Sequence, residues 1–321
     1  MDRVQALESV LSVDVGGPLA CRIVKGKRDS TLKQQQVAWT AFQEWLKNNP
    51  DEDICISSFL KFFVYLKDVK LLSPSTIRNY RAYLALPVSL LSGLDLKDWR
   101  FKELDNAFHI ESPKNRPPFP SWSLQRVLDL FKSDIYNLES CSLYFLLKKT
   151  LFLTALATAN RVSEIAALSL PIFKDDRDNS IQVPVKPGFL YKNQRLGRVP
   201  PNIVIKPLQN GPIELCPVQS LEVYIRRSNG SPGILFRNSK TNVPLQPQTI
   251  SLILCKVIDE ADPNCLPKAH DVRKAATSLA WTRGLSMQEI TRRAFWASSN
   301  TFIERYLGPV VAQGVALNTE E

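Results

Sequence analysis

The sequence predicts a mostly α-helical protein that carries a small antiparallel β-sheet. Apolar residues recur at helical spacing from Thr31 onward, a proline-rich stretch interrupts the chain at 111–120, and extended segments begin at Ile172. These three observations predict two domains, a helical one at 29–110 and an α+β one at 121–321. The four prolines of 111–120 favour an extended linker, and we expect a flexible arm at 1–28.

The composition indicates a basic globular protein. The 321 residues are 44% hydrophobic and carry a formal net charge of +10, which suits a polyanionic partner, although many unrelated proteins share such a charge. The most apolar segment, 143–159, contains two lysines and is too short to span a membrane, so we expect no membrane partner. The six cysteines form no CxxC pair, so we expect reduced thiols and no structural metal.

The N-terminal region begins with weakly patterned residues that end in the basic cluster RIVKGKR. That cluster fits a solvated tail, a nuclear-import signal or a phosphate-contacting arm. A third helix is predicted to begin after Ser73, whose hydroxyl can cap it, with Pro74 in its first turn. Two earlier helices are predicted from their apolar residues, which are Val37, Ala38, Ala41, Phe42 and Trp45 in the first and Phe59, Leu60, Phe62, Phe63 and Leu66 in the second.

The second domain begins with helices, including a long apolar one from Ser142 that ends in the segment TANRVSEIAALSL. We expect Asn160 to adopt a left-handed turn, because asparagine tolerates that conformation better than other non-glycine residues. Arg161 and Glu164 follow, three residues apart, and in isolation an exposed ion pair on a helix is the better explanation of that spacing.

Extended segments follow these helices. The segment IFKDDRDNSIQVPV predicts two strands with a polar turn, and residues 202–206 predict a third strand of an antiparallel meander. The loop between the second and third strands contains Lys186 and Lys192. Helices are then predicted at 217–227 and 248–261.

The stretch 267–309 concentrates side chains that can bind and cleave a phosphodiester. His270 and Arg273 are one helical turn apart, Gly284 is expected to end their helix, and Ser286 and Glu289 have the spacing of a capping box. Arginine matches phosphate oxygens, imidazole can move a proton, and a tyrosine hydroxyl can attack phosphorus. An ordinary helical core explains each residue alone, whereas the joint pattern favours a site that also includes Trp296 and Tyr306. Phe302 is expected to share one face of a short helix with Tyr306.

The motifs AHDVRKAATSLAWTRGLS and WASSNTFIERYL resemble the C-terminal part of the tyrosine recombinase, or phage integrase, family. They are most similar to the recombinases of eukaryotic DIRS-like retroelements. Trp296 and Tyr306 are ten residues apart, whereas many family members have a spacing of nine. The segment around Arg161 resembles the family's first arginine box, which usually has glycine where this chain has Asn160. The resemblance extends over about 30–308 and implies a helical core-binding domain followed by an α+β catalytic domain.

The resemblance also implies roles for individual residues. The catalytic set is Arg161, Lys192, His270, Arg273, Trp296 and the nucleophile Tyr306, with Glu164 in support. Arg78, Arg81 and Lys186 are implied as DNA contacts, although an ordinary solvated basic face also accounts for Arg78 and Arg81. Lys192 is preferred to Lys186 as the catalytic lysine because FLYKNQ resembles the retroelement motif more closely.

The expected activity is cleavage and rejoining of double-stranded DNA through a 3′-phosphotyrosyl intermediate, for integration or excision of a mobile element. The resemblance implies no cofactor, a homodimer on one DNA site and a homotetramer in synapsis. It implies a nuclear location for a eukaryotic element and otherwise a cytoplasmic or nucleoid one. Two alternatives use the same fold. One is a catalytically silent, domesticated DNA-binding protein, and the other is a type IB topoisomerase-like enzyme that relaxes DNA without strand exchange.

Overall fold

The computed structural model describes residues 2–113, 122–192, 194, 200, 202–209, 211–230, 232–300 and 303. The chain divides into two compact units, Met1–Arg116 and Pro117–Glu321. That division lies inside the segment 111–120, which the sequence marks as the linker. None of the helices in the described ranges is long and apolar enough to cross a membrane.

The first unit is helical throughout its regular structure. Ser73 caps its fifth helix by accepting a hydrogen bond from the backbone N–H of Thr76, and Pro74 is the first residue of that helix, as predicted. Its helices are α1 (Arg3–Val15), α2 (Gly17–Lys25), α3 (Asp29–Asn48), α4 (Ile56–Asp68), α5 (Pro74–Ser92) and α6 (Trp99–Glu111).

Aromatic side chains from α3 and α4 form the centre of this unit. The Phe42 ring lies 4.4 Å from that of Phe59 and 5.2 Å from that of Phe62, measured between ring centres. The predicted apolar faces of α3 and α4 are therefore confirmed, with one exception. Val37 is 57% exposed, and Trp39 is buried instead, because the buried face of α3 is rotated from the one that the spacing suggested.

The expectation of a flexible arm at 1–28 is wrong for the described part of that segment. Residues Arg3–Val15 and Gly17–Lys25 form α1 and α2, and α1 packs against α3 and α5. The Asp2 carboxylate caps α1 by accepting from the backbone N–H of Val4. Ala6 and Leu7 are buried, so few but well-placed apolar residues suffice to dock this weakly patterned segment.

The second unit combines helices with two small sheets. Its helices are α7 (Leu124–Leu130), α8 (Leu143–Thr158), α9 (Val162–Ile165), α10 (Pro217–Arg227), α11 (Pro247–Ala261), α12 (Ala269–Thr282) and α13 (Met287–Arg293). Its strands are β1 (Ser169–Leu170), β2 (Phe173–Asp175), β3 (Ser180–Val183), β4 (Ile203–Ile205) and β5 (Gly233–Ile234).

The predicted meander is confirmed as a three-stranded antiparallel sheet in the order β2-β3-β4, with Ile181 opposite Ile205. A second sheet pairs β1 with β5. Helix α8 is the central core element, because α10, α11 and α12 all pack against it. Even Lys149 of α8 is buried, and its ammonium group donates to the carbonyls of Phe131 and Tyr136 at 2.7 and 2.8 Å.

Candidate active site

The first arginine of the predicted site follows the end of α8. Ala159, with φ 51°, adopts the left-handed conformation there, and its N–H donates to the carbonyl of Ala155. The expectation that Asn160 makes the left-handed turn is therefore wrong, because the chain reverses direction one residue earlier. Arg161 has an extended backbone, with φ −71° and ψ 152°, and stands at the N-terminus of α9.

Glu164 binds Arg161 through both of its carboxylate oxygens. Its Oε2 accepts from the backbone N–H of Arg161 at 2.8 Å, and its Oε1 accepts from Nη1 of the same residue at 2.8 Å. Glu164 is buried, whereas Arg161 keeps a small exposed part. The backbone and the guanidinium of Arg161 are thus both bound by one carboxylate.

Arg273 reaches the same carboxylate from α12. Its Nη1 lies 3.7 Å from Oε2 of Glu164, and its Nη2 donates to the backbone carbonyl of Ala294 at 2.5 Å. Its guanidinium carbon lies 5.1 Å from the ring centre of Trp296, within the range of a cation–π contact. Three kinds of contact therefore hold this buried arginine in a single orientation.

Trp296 is placed by a tight turn after α13. Phe295 has a φ of 49°, an uncommon conformation for a residue with a bulky side chain. The backbone N–H of Trp296 donates to the carbonyl of Thr291 at 3.0 Å. The indole is buried with Ile290 and Ala294 in a small apolar cluster, so its face meets Arg273 from a fixed position.

His270 lies one turn before Arg273 on α12. The residue as a whole is exposed, and neighbouring protein atoms partly desolvate its imidazole. That loss of water contact, together with the positive charges of Arg273, Lys274 and Arg161, lowers the pKa of His270 to about 4 against the opposing charge of Asp271. The imidazole is therefore neutral near pH 7 and available to accept a proton.

The two candidate lysines lie on the connection between β3 and β4. Lys186 is anchored by its backbone N–H, which donates to the carbonyl of Ala167 at 2.9 Å, and its side chain is exposed. Lys192 is also exposed. The preceding residue, Tyr191, is buried and packs on Phe295 with ring centres 5.6 Å apart.

Two predicted helix ends near the site are confirmed, whereas two predicted residues lie outside the described part of the chain. Gly284, with φ 85°, follows the end of α12 as predicted, and the Ser286 hydroxyl caps α13 by accepting from the N–H of Glu289 at 3.2 Å. The Glu289 carboxylate pairs with Arg292 and Arg293 of its own helix. Phe302 and Tyr306, the predicted nucleophile, lie outside the described residues.

The two predicted DNA contacts of the first unit share one carboxylate. Asp105 of α6 lies 3.4 Å from Nε of Arg78 and 2.8 Å from Nη2 of Arg81, both on α5. Asp105 is buried, whereas much of the Arg78 side chain is exposed. One negative charge thus partly neutralises two arginines on this surface.

The second unit therefore brings Arg161, Glu164, Arg273 and Trp296 into one connected cluster, with His270 beside it. Two arginines on one carboxylate leave a net positive charge, which favours an anionic ligand. The fixed guanidinium forks suit the non-bridging oxygens of a phosphodiester. Sequence reasoning missed Ala294, Phe295 and Tyr191, although each is within two residues of a predicted site residue. Among the described residues, no group of three His, Cys, Asp or Glu side chains could hold a metal ion.

No family model matches the sequence, and no curated protein is significantly similar to it. Solved structures do match. The Tn1549 transposon integrase in complex with circular intermediate DNA aligns with a TM-score of 0.61 at 15% identity and covers 95% of both chains. The XerH site-specific recombinase bound to its difH substrate aligns with a TM-score of 0.60 at 15% identity, and the alignment covers 94% of this chain and 83% of that one.

A third neighbour is lambda integrase bound to DNA, which aligns with a TM-score of 0.58 at 14% identity and covers 100% of both chains. The chain has the tyrosine recombinase fold. The predicted fold class, mostly α with a small antiparallel sheet in an α+β catalytic domain, is confirmed. At this identity the likeness establishes architecture, and the activity has to be argued from the site.

Proposed function

We propose that this protein is a site-specific recombinase that cleaves and rejoins double-stranded DNA by transesterification. The observation that carries the proposal is the junction of Arg161 and Arg273 on the buried carboxylate of Glu164. Isolated surface arginines bind phosphate transiently, whereas this pair is held before any ligand arrives. Preorganised charge of this kind stabilises a transition state most effectively.

In the proposed reaction the hydroxyl oxygen of Tyr306 attacks the scissile phosphorus. The bond from phosphorus to the 5′-oxygen breaks, which leaves a 3′-phosphotyrosyl ester and a free 5′-hydroxyl. The ester bond preserves the energy for rejoining, so the reaction requires neither ATP nor another cofactor. Arg161 and Arg273 stabilise the negative charge on the non-bridging oxygens, and removal of one such donor costs about a hundredfold or more in rate.

His270 and Lys192 transfer protons in the proposed reaction. The neutral imidazole of His270 accepts the proton of the tyrosine hydroxyl or hydrogen-bonds the phosphate, and Trp296 donates a hydrogen bond from its indole N–H. The ammonium of Lys192 supplies a proton to the leaving 5′-oxygen. Arg78, Arg81 and Lys186 contact other phosphates and position the duplex without reading its sequence.

The neighbours suggest the assembly and the biological setting. Lambda integrase forms a dimer on a core site and a tetramer on a Holliday junction, and the Tn1549 integrase binds transposon DNA. We propose the corresponding homodimer on one site and homotetramer in synapsis for this chain. The DIRS-like character of its motifs supports a role in integration or excision of a mobile element in a eukaryotic nucleus.

The proposal is tested by covalent capture of DNA. The protein is incubated with nicked suicide duplexes whose flanking sequence is randomised, and the DNA that stays attached in detergent is recovered and sequenced. We expect an adduct with wild-type protein and none with Tyr306→Phe, which removes only the hydroxyl oxygen.

Tyr224→Phe is the matched control, because the Tyr224 hydroxyl is buried in the second unit and accepts from the N–H of Arg237. An adduct that survives in Tyr306→Phe would assign another nucleophile. DNA binding without any adduct would favour the silent DNA-binding alternative. Relaxation of supercoiled DNA without recombinant product would favour the type IB topoisomerase-like one.

A further inference from the structure

Two aromatic rings connect the β3–β4 stretch to the turn that carries Trp296. The rings of Tyr191 and Phe295 meet at an interplanar angle of 76° with their centres 5.6 Å apart. Both side chains are buried. An edge-to-face pair of this geometry is favourable beyond the area that it buries. It therefore fastens together two segments that are about a hundred residues apart in the sequence.

The backbone near Lys192 is also held by hydrogen bonds, which involve Tyr191 and Gln194. The N–H of Tyr191 donates to Oε1 of Gln194 at 3.1 Å, and the N–H of Gln194 donates to the carbonyl of Tyr191 at 2.9 Å. Lys192 lies between the two residues that these hydrogen bonds join. The Phe189 ring lies 5.2 Å from that of Tyr191 and extends the packing toward β3. Lys192 itself is exposed, whereas Tyr191 beside it is buried.

Tyr191 lies close to the arginine cluster, because it lines one cavity with Phe295 and with Asn160, the residue before Arg161. Burial and the negative charge of Glu164 raise the pKa of the Tyr191 hydroxyl to about 12. A continuous path of contacts thus runs from Lys192 through the two rings to Trp296 and the arginines.

We propose that Tyr191 and Phe295 are positioning residues that hold Lys192 where it can protonate the leaving 5′-oxygen. The inference rests on the proposed function. Lysine has a long, flexible stem, so the position of its backbone decides which atoms its ammonium can reach. In the balanced step, the proton on Lys192 passes to the 5′-oxygen as the P–O5′ bond breaks and the bond from Tyr306 to phosphorus forms. The tyrosine proton passes to His270.

The chain allows the rings to be removed without disturbing the turn. Glycine adopts a φ of 49° readily, so Phe295→Gly deletes the ring while retaining the backbone conformation that places Trp296. Tyr191→Leu removes the ring and keeps apolar bulk, whereas Tyr191→Phe keeps the ring and removes the hydroxyl. The lysine variants Lys192→Ala and Lys186→Ala complete the set.

The experiment compares single-turnover cleavage of two suicide duplexes, one with the ordinary 5′-bridging oxygen and one with sulfur in its place. Sulfur leaves without a proton, so loss of the general acid slows only the oxygen substrate. We expect Tyr191→Leu and Phe295→Gly to slow oxygen cleavage by about ten- to a hundredfold, because misplacement by about 1 Å has effects of that size. Cleavage of the sulfur substrate should stay within about threefold of wild type.

Three further results are expected. Tyr191→Phe should behave like wild type on both substrates. Lys192→Ala should show the same pattern as the ring variants with a larger loss, and Lys186→Ala should not show it. The double variant Tyr191→Leu with Phe295→Gly should be no slower than the worse single variant by more than about twofold, because the two rings act as a unit.

Several outcomes would overturn the inference. Equal slowing on both substrates would mean that the rings maintain the fold or the arginines, not the lysine. Normal oxygen cleavage by Phe295→Gly, a loss in Tyr191→Phe as large as in Tyr191→Leu, or a Lys192→Ala variant without sulfur rescue would each contradict it. Failure of the proposed function would look different, because wild-type protein would then form no adduct with either duplex.

Discussion

Each unit of this protein brings two arginines to one carboxylate, and the two clusters differ mainly in exposure. In the first unit, Arg78 and Arg81 share Asp105, and the Arg78 side chain is 52% exposed. In the second unit, Arg161 and Arg273 share Glu164, and the side chains of Arg273 and Glu164 are each 2% exposed.

Arginine side chains in an exposed and in a buried cluster differ in how strongly water and salt screen their charge. An exposed guanidinium is screened by water and salt, so it adds affinity for a polyanion but little preorganised field. A buried one is fixed by a carboxylate, a backbone carbonyl and an indole ring, so its charge acts at one point with little screening. We therefore propose that the first cluster supplies DNA affinity and the second stabilises the transition state.

The largest expected difference concerns stability. Glu164→Gln leaves two cations without their shared anion in a water-poor site, and we expect it to lower the free energy of unfolding of the second unit by about 3 kcal/mol. Asp105→Asn is the matched control and should lower that of the first unit by at most about 1 kcal/mol, because its arginines can turn to water. Hydrogen exchange measured by mass spectrometry reports both units separately. Losses of equal size would remove the distinction between the clusters.

The second prediction uses the pH dependence of binding. A bound phosphate places negative charge beside His270 and should raise its pKa from about 4 toward the ordinary value of 6.5. DNA binding then takes up a proton, so affinity should increase as the pH falls from 7 to 5.5, by at most about tenfold per pH unit. The increase should vanish in His270→Gln and persist in His109→Gln, which changes the other histidine. Binding that weakens on acidification in wild type would contradict the placement of His270.

The lowered pKa of His270 also makes the stability of the fold decrease over the pH range of that experiment. The folded-state pKa of His270 lies below that of the unfolded chain, so the unfolded chain binds the proton more readily. The contribution of this residue therefore favours the folded state above about pH 6.5 and is lost as the pH falls toward 4. Thermal unfolding at each pH should accompany the binding measurements.

The third prediction concerns the turn that leads to Arg161. Ala159 has a left-handed backbone, whereas the arginines of the first cluster lie on the regular helix α5. Ala159→Gly should therefore stabilise the second unit by about 1 kcal/mol. Asn160→Gly, one residue later, should not stabilise it, because Asn160 lacks the left-handed conformation. Chemical denaturation of both variants measures these changes in stability. A larger gain from Asn160→Gly would instead place the left-handed residue at position 160.

The smallest expected effect is the salt dependence of binding. Each neutralised phosphate contributes about −0.9 to the slope of log affinity against log salt. Arg78→Ala should reduce the slope by up to this amount on specific and random duplexes alike. Arg81→Ala should reduce it less, because Arg81 is closer to Asp105 and less exposed. A loss confined to one sequence would make Arg78 a reader of bases.

The sequence was informative where local patterns decide structure. Helices α3 and α4, the cap at Ser73 and the antiparallel strands follow from periodicity and turn chemistry. The grouping of Arg161, Glu164 and Arg273 was reached through resemblance to a family. Asp105 was not predicted, because its contact with Arg81 joins positions 24 residues apart whose pairing leaves no local pattern.

The other differences between the predicted and the observed structure also arise from features that leave no local sequence pattern. The N-terminal helices depend on docking of a few residues such as Ala6 and Leu7, which periodicity cannot distinguish from chance. The left-handed residue fell on Ala159 because the length of α8, not the preference of Asn160, fixed where the chain turns. Tyr191 and Phe295 come together only through the tertiary fold.

The most direct test of the account separates chemistry from binding in one assay. Single-turnover adduct formation on a nicked suicide duplex is measured at increasing protein concentration for Arg273→Ala and Arg78→Ala. We predict that Arg273→Ala lowers the rate at saturation by about a hundredfold or more with little change in the half-saturating concentration. Arg78→Ala should raise that concentration and retain the saturated rate. The opposite assignment, or equal losses of both kinds in both variants, would contradict the division of labour between the two arginine clusters.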